Sequence, residues 1–117
     1  MIFGAVPTRI YIAIKPIDFR KGLDGLAAVV QEILKLDPFC GAAFIFRAKR
    51  ADRIKILIYD GSGSVLIYKR LKDGKFRWPK IEDGVMRLSP VQMSALFDGL
   101  DWSKVRAVKT PRPQVAQ

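Results

Sequence analysis

The feature of the sequence that most constrains the fold is a pair of alternating runs joined by a glycine-rich link. The runs are "RIKILIY" (53–59) and "SVLIYKRLK" (64–72), and the link between them is "DGSGS". Alternation rich in β-branched residues is typical of strands, and glycine supplies the positive φ that a hairpin turn needs. We therefore expect residues 53–72 to form an antiparallel hairpin.

Further strand-like runs lie on both sides of this hairpin. They are "RIYIAI" (9–14), "AAFIF" (42–46) and "KFRW" (75–78), the last of which follows the Asp-Gly pair of "KDGK". Because Asp-Gly is the strongest short hairpin signal, we predict that "KFRW" returns as another strand. The sequence thus predicts an antiparallel β-meander of four to five strands.

Two segments have the three- and four-residue apolar spacing of helices. We predict that Asp18 caps the first helix, which runs to about Leu36, because a carboxylate accepts hydrogen bonds from free N–H groups of the first turn. Ser89, Pro90 and Gln92 predict the start of the second helix as a capping box with proline at its first position. The predicted fold class is α+β, a single domain in which the sheet is packed with two helices.

Length and composition set further limits. A chain of 117 residues suits one domain, which we predict over residues 1–103, followed by a flexible basic tail over 104–117. One cysteine excludes an internal disulfide, and the lack of histidine removes the usual zinc ligand sets. The sequence has neither an apolar run long enough for a membrane span nor a signal-peptide pattern at its start. We expect a cytoplasmic protein without membrane contact, metal or other cofactor.

The positive charge is concentrated in the middle of the chain. The net charge is +10, and residues 47–80 hold eleven of the 21 Lys and Arg residues against three Asp. Such segregation attracts polyanions, and nucleic acid is the commonest polyanion in cytoplasm. The alternative from the same residues is a solvated sheet face whose cations only prevent edge-to-edge association.

Strand parity assigns these side chains to faces of the sheet. Lys55 and Tyr59 share one side of their strand, and we predict that they lie beside Tyr68, Arg70 and Lys72. Cations on such a surface bind phosphates, and aromatic rings stack on bases. The predicted nucleic-acid-binding residues are Arg47, Lys49, Arg50, Arg53, Lys55, Tyr59, Tyr68, Lys69, Arg70, Lys72 and Arg77.

The sequence offers no convincing catalytic group. Histidine, the usual general base, is absent, and Asp18, Asp60 and Asp73 fit helix-cap or turn positions. We therefore predict no catalytic residue and no metal ligand, and a protein that is not an enzyme.

Three stretches resemble one known family in content and order. "DFRKGLDGLAAVV" (18–30), "FIFRAKRADRIKILIYDGSGSVLIYKRLKDGKFRWP" (44–79) and "LSPVQMSALFDGLDW" (88–102) are similar to the TnpB accessory protein of the insertion sequence 66 family. This resemblance implies a role in transposition beside a separate transposase that carries the acidic catalytic residues. Members of the family often have two tryptophans where this chain has Ile58 and Tyr59.

Two functions are consistent with the sequence and the resemblance together. The first is a non-catalytic accessory factor that binds DNA at the ends of the element and assists the transposase. The alternative is an adaptor that docks on the transposase without touching DNA, through an exposed surface containing Arg20, Lys21, Phe76 and Trp78. Assembly into a homo-oligomer is compatible with both.

Overall fold

A computed structural model of the protein describes residues 7–80 and 84–105. Five strands, β1 (Ile10–Ala13), β2 (Ala43–Arg47), β3 (Arg53–Tyr59), β4 (Ser64–Arg70) and β5 (Val85–Leu88), form one sheet in the order β4-β3-β2-β1-β5. The helices are α1 (Leu23–Ala28), which continues into a π-helical turn (Val29–Ile33), and α2 (Pro90–Phe97). A 3₁₀ turn (Trp102–Lys104) follows α2. The predicted α+β single domain with a sheet and two helices is confirmed.

The strand pairing is mixed. Strands β2, β3 and β4 form the predicted antiparallel meander, and β5 is antiparallel to β1. Strand β1, however, is parallel to β2, with Ile10 opposite Ala43. The segment that contains α1 supplies the long crossover that a parallel pair requires. The sheet is therefore not wholly antiparallel.

Each face of the sheet packs against one helix. On one face, which we call the α2 face, Ile12, Ile45 and Ile56 pack with Met93 and Leu96 of α2, and all five side chains are buried. On the other face, which we call the α1 face, Phe44, Phe46 and Leu57 pack with Leu26 and Val30. Alternation along each strand produces this division, because successive side chains point to opposite faces.

Two local predictions need correction. Asp18 does not cap α1: the N-cap is Gly22, and the Asp18 carboxylate accepts the backbone N–H of Arg20 instead. "KFRW" (75–78) is not a strand, although Gly74 has the positive φ of 83° that an Asp-Gly turn favours. Its backbone is held elsewhere, because the Phe76 N–H donates to the Ala51 carbonyl over 2.9 Å.

The capping box of α2 is confirmed. The Ser89 side chain accepts the Gln92 N–H, the Gln92 side chain accepts the Ser89 N–H, and Pro90 occupies the first turn. Within the described residues no helix is long and apolar enough to cross a membrane. Apart from its first two residues, the predicted tail 104–117 lies outside the described residues.

Candidate nucleic-acid interface

Three connections meet at one end of the sheet, which we call the loop end. They are residues 14–22 after β1, 48–52 after β2, and the segment that follows β4 from residue 71. Backbone hydrogen bonds of 2.9 Å join them, from Ile17 to the Arg47 carbonyl and from Leu71 to the Asp52 carbonyl. The opposite end, which we call the turn end, contains residues 34–42 and the turn at 60–63. The fold therefore gathers segments distant in sequence at the loop end.

Most of the exposed cations of the basic stretch lie at the loop end. Six of them are Lys49, Arg50, Arg70, Lys72, Lys75 and Arg77. The 48–52 connection presents the first two, and the end of β4 with the segment after it presents the rest. Arg20 and Lys21 are also exposed there, on the connection that follows β1. This end is thus the most basic part of the described surface.

Lys55 lies on the predicted face but is not part of this exposed set. Only 7% of it is exposed, and its ammonium donates to the Phe19 carbonyl over 2.6 Å and to the Lys21 carbonyl over 2.9 Å. The Phe19 and Tyr68 rings lie 5.0 and 5.5 Å from the nitrogen. Lys55 therefore holds the 18–22 connection against β3. Its ammonium is hydrogen-bonded within the protein and does not face solvent.

Lys69 and Arg47 lie on the α2 face and also contact the protein itself. The Lys69 ammonium donates to the Phe97 carbonyl over 2.6 Å and lies 4.3 Å from the centre of the Phe97 ring. The Arg47 guanidinium lies 5.3 Å from the Trp78 ring and donates to the Ala48 carbonyl. Partial burial lowers the pKa of Arg47. These two cations therefore stabilise the packing of α2 and of the 71–80 segment against the sheet.

Arg53 and Arg70 are register partners, so two cations lie directly opposite each other on the α1 face. Asp52 lies within ion-pair distance of Arg53, with Oδ1 3.4 Å from Nε, and its Oδ2 lies 3.9 Å from Arg50. Like charges placed directly opposite in a sheet are destabilising. The Asp52 carboxylate lies near Arg53 and Arg50, whereas Arg70 has no ion pair among the described residues.

The two predicted tyrosines are separated by the length of the strands. Tyr68 lies near the loop end, half exposed, with its ring edge-on to Phe19 at 5.8 Å. Tyr59 lies at the turn end, where its hydroxyl donates to the Gly61 carbonyl and its ring meets Phe39 at 5.5 Å. Only Tyr68 is therefore close to the exposed cations.

The predicted partner-binding residues do not form one surface. Phe76 is 2% exposed in the core on the α2 face, so its predicted exposure is wrong. Trp78 packs against the same core and donates its indole N–H to the Ala51 carbonyl over 3.1 Å. Arg20 and Lys21 instead lie over the α1 face, because the Lys21 carbonyl accepts from Lys55.

Lys75 belongs with the exposed cations although the sequence interpretation left it out of the candidate residues. Its position after Gly74, which ends an Asp-Gly pair, was the signal for a surface loop.

The carboxylates with perturbed pKa values have local structural partners. Arg20 hydrogen-bonds to both oxygens of Asp18 and holds the pKa of Asp18 at about 2. The Ser62 and Gly63 N–H groups donate to Asp60 and lower its pKa. Within residues 7–80 and 84–105 no three His, Cys, Asp or Glu side chains cluster as metal ligands would.

Comparison with known proteins gives the family. The family model described as IS66 Orf2 like protein matches residues 8–107. The chain belongs to this family. Its membership supports an accessory role in insertion-sequence transposition, and the family resemblance predicted from the sequence is confirmed.

Two relatives come from Sinorhizobium fredii (strain NBRC 101917 / NGR234). The uncharacterized protein y4jC is 47% identical over 105 residues, which cover 90% of each chain. The uncharacterized protein y4hO is 45% identical over 94 residues, which cover 80% of this chain and 82% of the relative. No solved structure matches the chain.

Proposed function

We propose that this member of the IS66 Orf2-like family is a non-catalytic accessory protein whose loop end binds the phosphates of DNA at the ends of the element. The observation that carries the proposal is the convergence of three connections with exposed cations, among them Lys49, Arg50 and Arg77. In this role the protein acts in the cytoplasm and assists the transposase of the same element.

The Arg53–Arg70 pair supports binding of an anion at this end. Two guanidinium groups on register partners destabilise the free sheet, and a phosphate between them would relieve the repulsion. Arg70 is exposed, so a ligand can reach it from solvent.

The proposed contacts are to the DNA backbone rather than to stacked bases. Of the ring side chains near the exposed cations, Tyr68 already contacts Phe19, and Trp78 is packed on the core. Backbone contacts position a protein on DNA without reading its sequence. Recognition of the element ends is then supplied by the transposase, and the loop end adds affinity.

The test is a binding titration with element-end duplex DNA over a range of salt concentrations. About six phosphate contacts predict a slope of log affinity against log salt near −5, because each contact releases counterions. Lys49→Gln and Arg50→Gln should each reduce the slope by about one. The matched control is Lys35→Gln, an exposed cation at the turn end, which should leave the slope unchanged. Binding that is absent at low salt, or equally weakened by all three variants, contradicts the proposal.

The alternative function is an adaptor on the transposase, and one feature favours it. A groove of about 1030 Å³ lies between the 71–80 segment and the turn after α2, and its lining includes both Lys75 and Arg77 and the acidic Asp98 and Asp101. Charges of both signs suit a protein surface better than DNA. A complex with the transposase that survives nuclease treatment and is weakened by Asp98→Lys, while the Lys49→Gln variant retains it, would support the adaptor.

A further inference from the structure

Strand β4 presents a long free edge. All seven of its residues, Ser64–Arg70, pair with β3, and no strand among the described residues pairs with the other side. In an antiparallel pair, alternate residues direct their N–H and C=O groups away from the partner strand. The strand contains no proline, and its register with β3 runs without a bulge. Such an edge is a template for another strand.

We propose that a second copy of this chain pairs antiparallel along β4, with the two-fold axis at Ile67. This register places Leu66 opposite Tyr68, Val65 opposite Lys69, and Ser64 opposite Arg70 of the other copy. The two sheets then join into one ten-stranded sheet. The proposal is independent of DNA binding.

The geometry of the edge favours the antiparallel direction, because a two-fold axis perpendicular to the sheet joins two β4 edges and keeps each face of the sheet continuous. A parallel pair of the same two edges would turn one sheet over and place its α1 face beside the opposite face of the other copy. In the antiparallel pair each cation meets Val65 or Ser64, which carry no charge. The Lys69 ammonium is also directed to the Phe97 carbonyl, so it does not screen the edge from a partner.

The same direction keeps the two loop ends apart. Strand β4 runs toward the loop end, since Arg70 precedes the connection that begins at Leu71. Antiparallel pairing therefore sends the loop ends of the two copies to opposite extremes of the joined sheet. Two chains of net charge +10 can then associate with their most basic regions at maximal separation.

The other sheet edge fits a partner less well. Strand β5 has four residues and is followed at once by Ser89 and Pro90, which begin α2. Pairing of β4 with β5 of another copy would be heterologous and would extend into a ring or an open chain of molecules rather than a dimer. Pairing of β4 with β4 closes as a dimer.

The test uses the full chain without DNA at moderate salt, by sedimentation equilibrium from micromolar to near-millimolar concentration. Ser64→Glu brings a carboxylate opposite Arg70 of the other copy, and Ser64→Lys brings a cation there. Each change occurs twice per dimer. We expect Ser64→Glu to tighten the dimer and Ser64→Lys to weaken it, each by about three- to tenfold. Gln31→Glu and Gln31→Lys, which make the same charge changes on an exposed helical residue, are the matched controls.

The outcomes separate clearly. A dimer that responds in opposite directions to the two Ser64 variants and little to the Gln31 variants supports the proposal. A chain that stays monomeric throughout, or a dimer indifferent to the charge at Ser64, overturns it. Thermal unfolding of each variant at a concentration where the chain is monomeric separates an effect on folding from one on association.

Discussion

The cations of strands β3 and β4 and those of the loop-end connections come from the same basic stretch, residues 47–80, but they make opposite kinds of contact. Lys55 and Lys69, on the strands, donate to backbone carbonyls of the protein. Lys49 and Lys72, in the connections, are exposed. Lysines that are close in sequence thus differ in role: some stabilise the fold through hydrogen bonds, and others are exposed to solvent.

This difference teaches that charge density alone does not locate a binding surface. A lysine on a strand can bury its stem and satisfy its ammonium on carbonyls of segments packed over the sheet, whereas Lys49 and Lys72 in the connections remain exposed. We therefore expect substitutions of the strand lysines to change stability and substitutions of the connection lysines to change affinity for DNA.

The largest expected effect is that of Lys55→Met. The variant removes two charge-assisted hydrogen bonds and leaves the Phe19 and Lys21 carbonyls without this donor, so the free energy of unfolding should fall by about 2–3 kcal/mol. Chemical denaturation measures the change, and Lys49→Met, at an exposed site, should lie within about 0.5 kcal/mol of the parent. If Lys55→Met and Lys49→Met lost equal free energy of unfolding, the strand cations and the connection cations would not differ in their contribution to stability.

A smaller effect is expected from Lys69→Met on the opposite face. The substitution removes one hydrogen bond to the Phe97 carbonyl and one contact with the Phe97 ring, for a loss of about 1–2 kcal/mol. Affinity for DNA, measured where the variant is folded, should stay within about twofold, since this ammonium already has a partner. Lys72→Met should give the reverse, with unchanged denaturation and weaker DNA binding.

The elements with strong local signals could be predicted from the sequence. The hairpin of β3 and β4 follows from alternation and a glycine-rich turn, and the start of α2 follows from Ser89, Pro90 and Gln92. The parallel pairing of β1 with β2 could not be predicted, because it joins segments separated by a helix. The missing strand at 75–78 has a similar cause: bonds to the Ala51 carbonyl hold this segment, and nothing local indicates them.

The sheet face of the candidate strand residues could be predicted from the sequence, but their exposure could not. Parity correctly placed Lys55, Tyr68 and Arg70 on one face. Their exposure could not be deduced, because the burial of Lys55 depends on Phe19 and Lys21, which fold over it from a distant connection. Sequence alternation predicts which face of the sheet a side chain lies on, but not which distant segments pack over that face.

Arg70→Gln should increase stability, in contrast to Lys55→Met and Lys69→Met. Relief of the repulsion with Arg53 should raise the free energy of unfolding by about 0.2–1 kcal/mol, while loss of an exposed cation weakens DNA binding. Denaturation and the salt titration on the same preparation measure both effects. Arg77→Gln is the control, since it removes an exposed cation that is not opposite another on the sheet. A loss of stability in Arg70→Gln would show that the pair is not repulsive.

The smallest expected effect is that of Arg20→Ala on the titration of Asp18. The pKa of Asp18 is lowered from 3.8 to about 2, first by the Arg20 side chain and then by its backbone N–H. A lowered pKa in the folded state means that the contribution to stability is present above pH 3.8 and is lost as the pH falls toward 2. The variant should raise the pKa of Asp18 only part of the way back to 3.8, because the Arg20 backbone N–H remains as a donor. The pH range over which this contribution to stability is lost should then become narrower.

The measurement is an NMR titration of the side-chain carboxyl carbons, in which Asp60 is the internal control. The pKa of Asp60 is lowered by Ser62 and Gly63 at the turn end, so Arg20→Ala should not move it. If the pKa of Asp18 also stays unchanged, Arg20 is not paired with Asp18 in solution. Its charge then adds to the exposed cations of the loop end, and the DNA salt slope of Arg20→Ala should fall by about one.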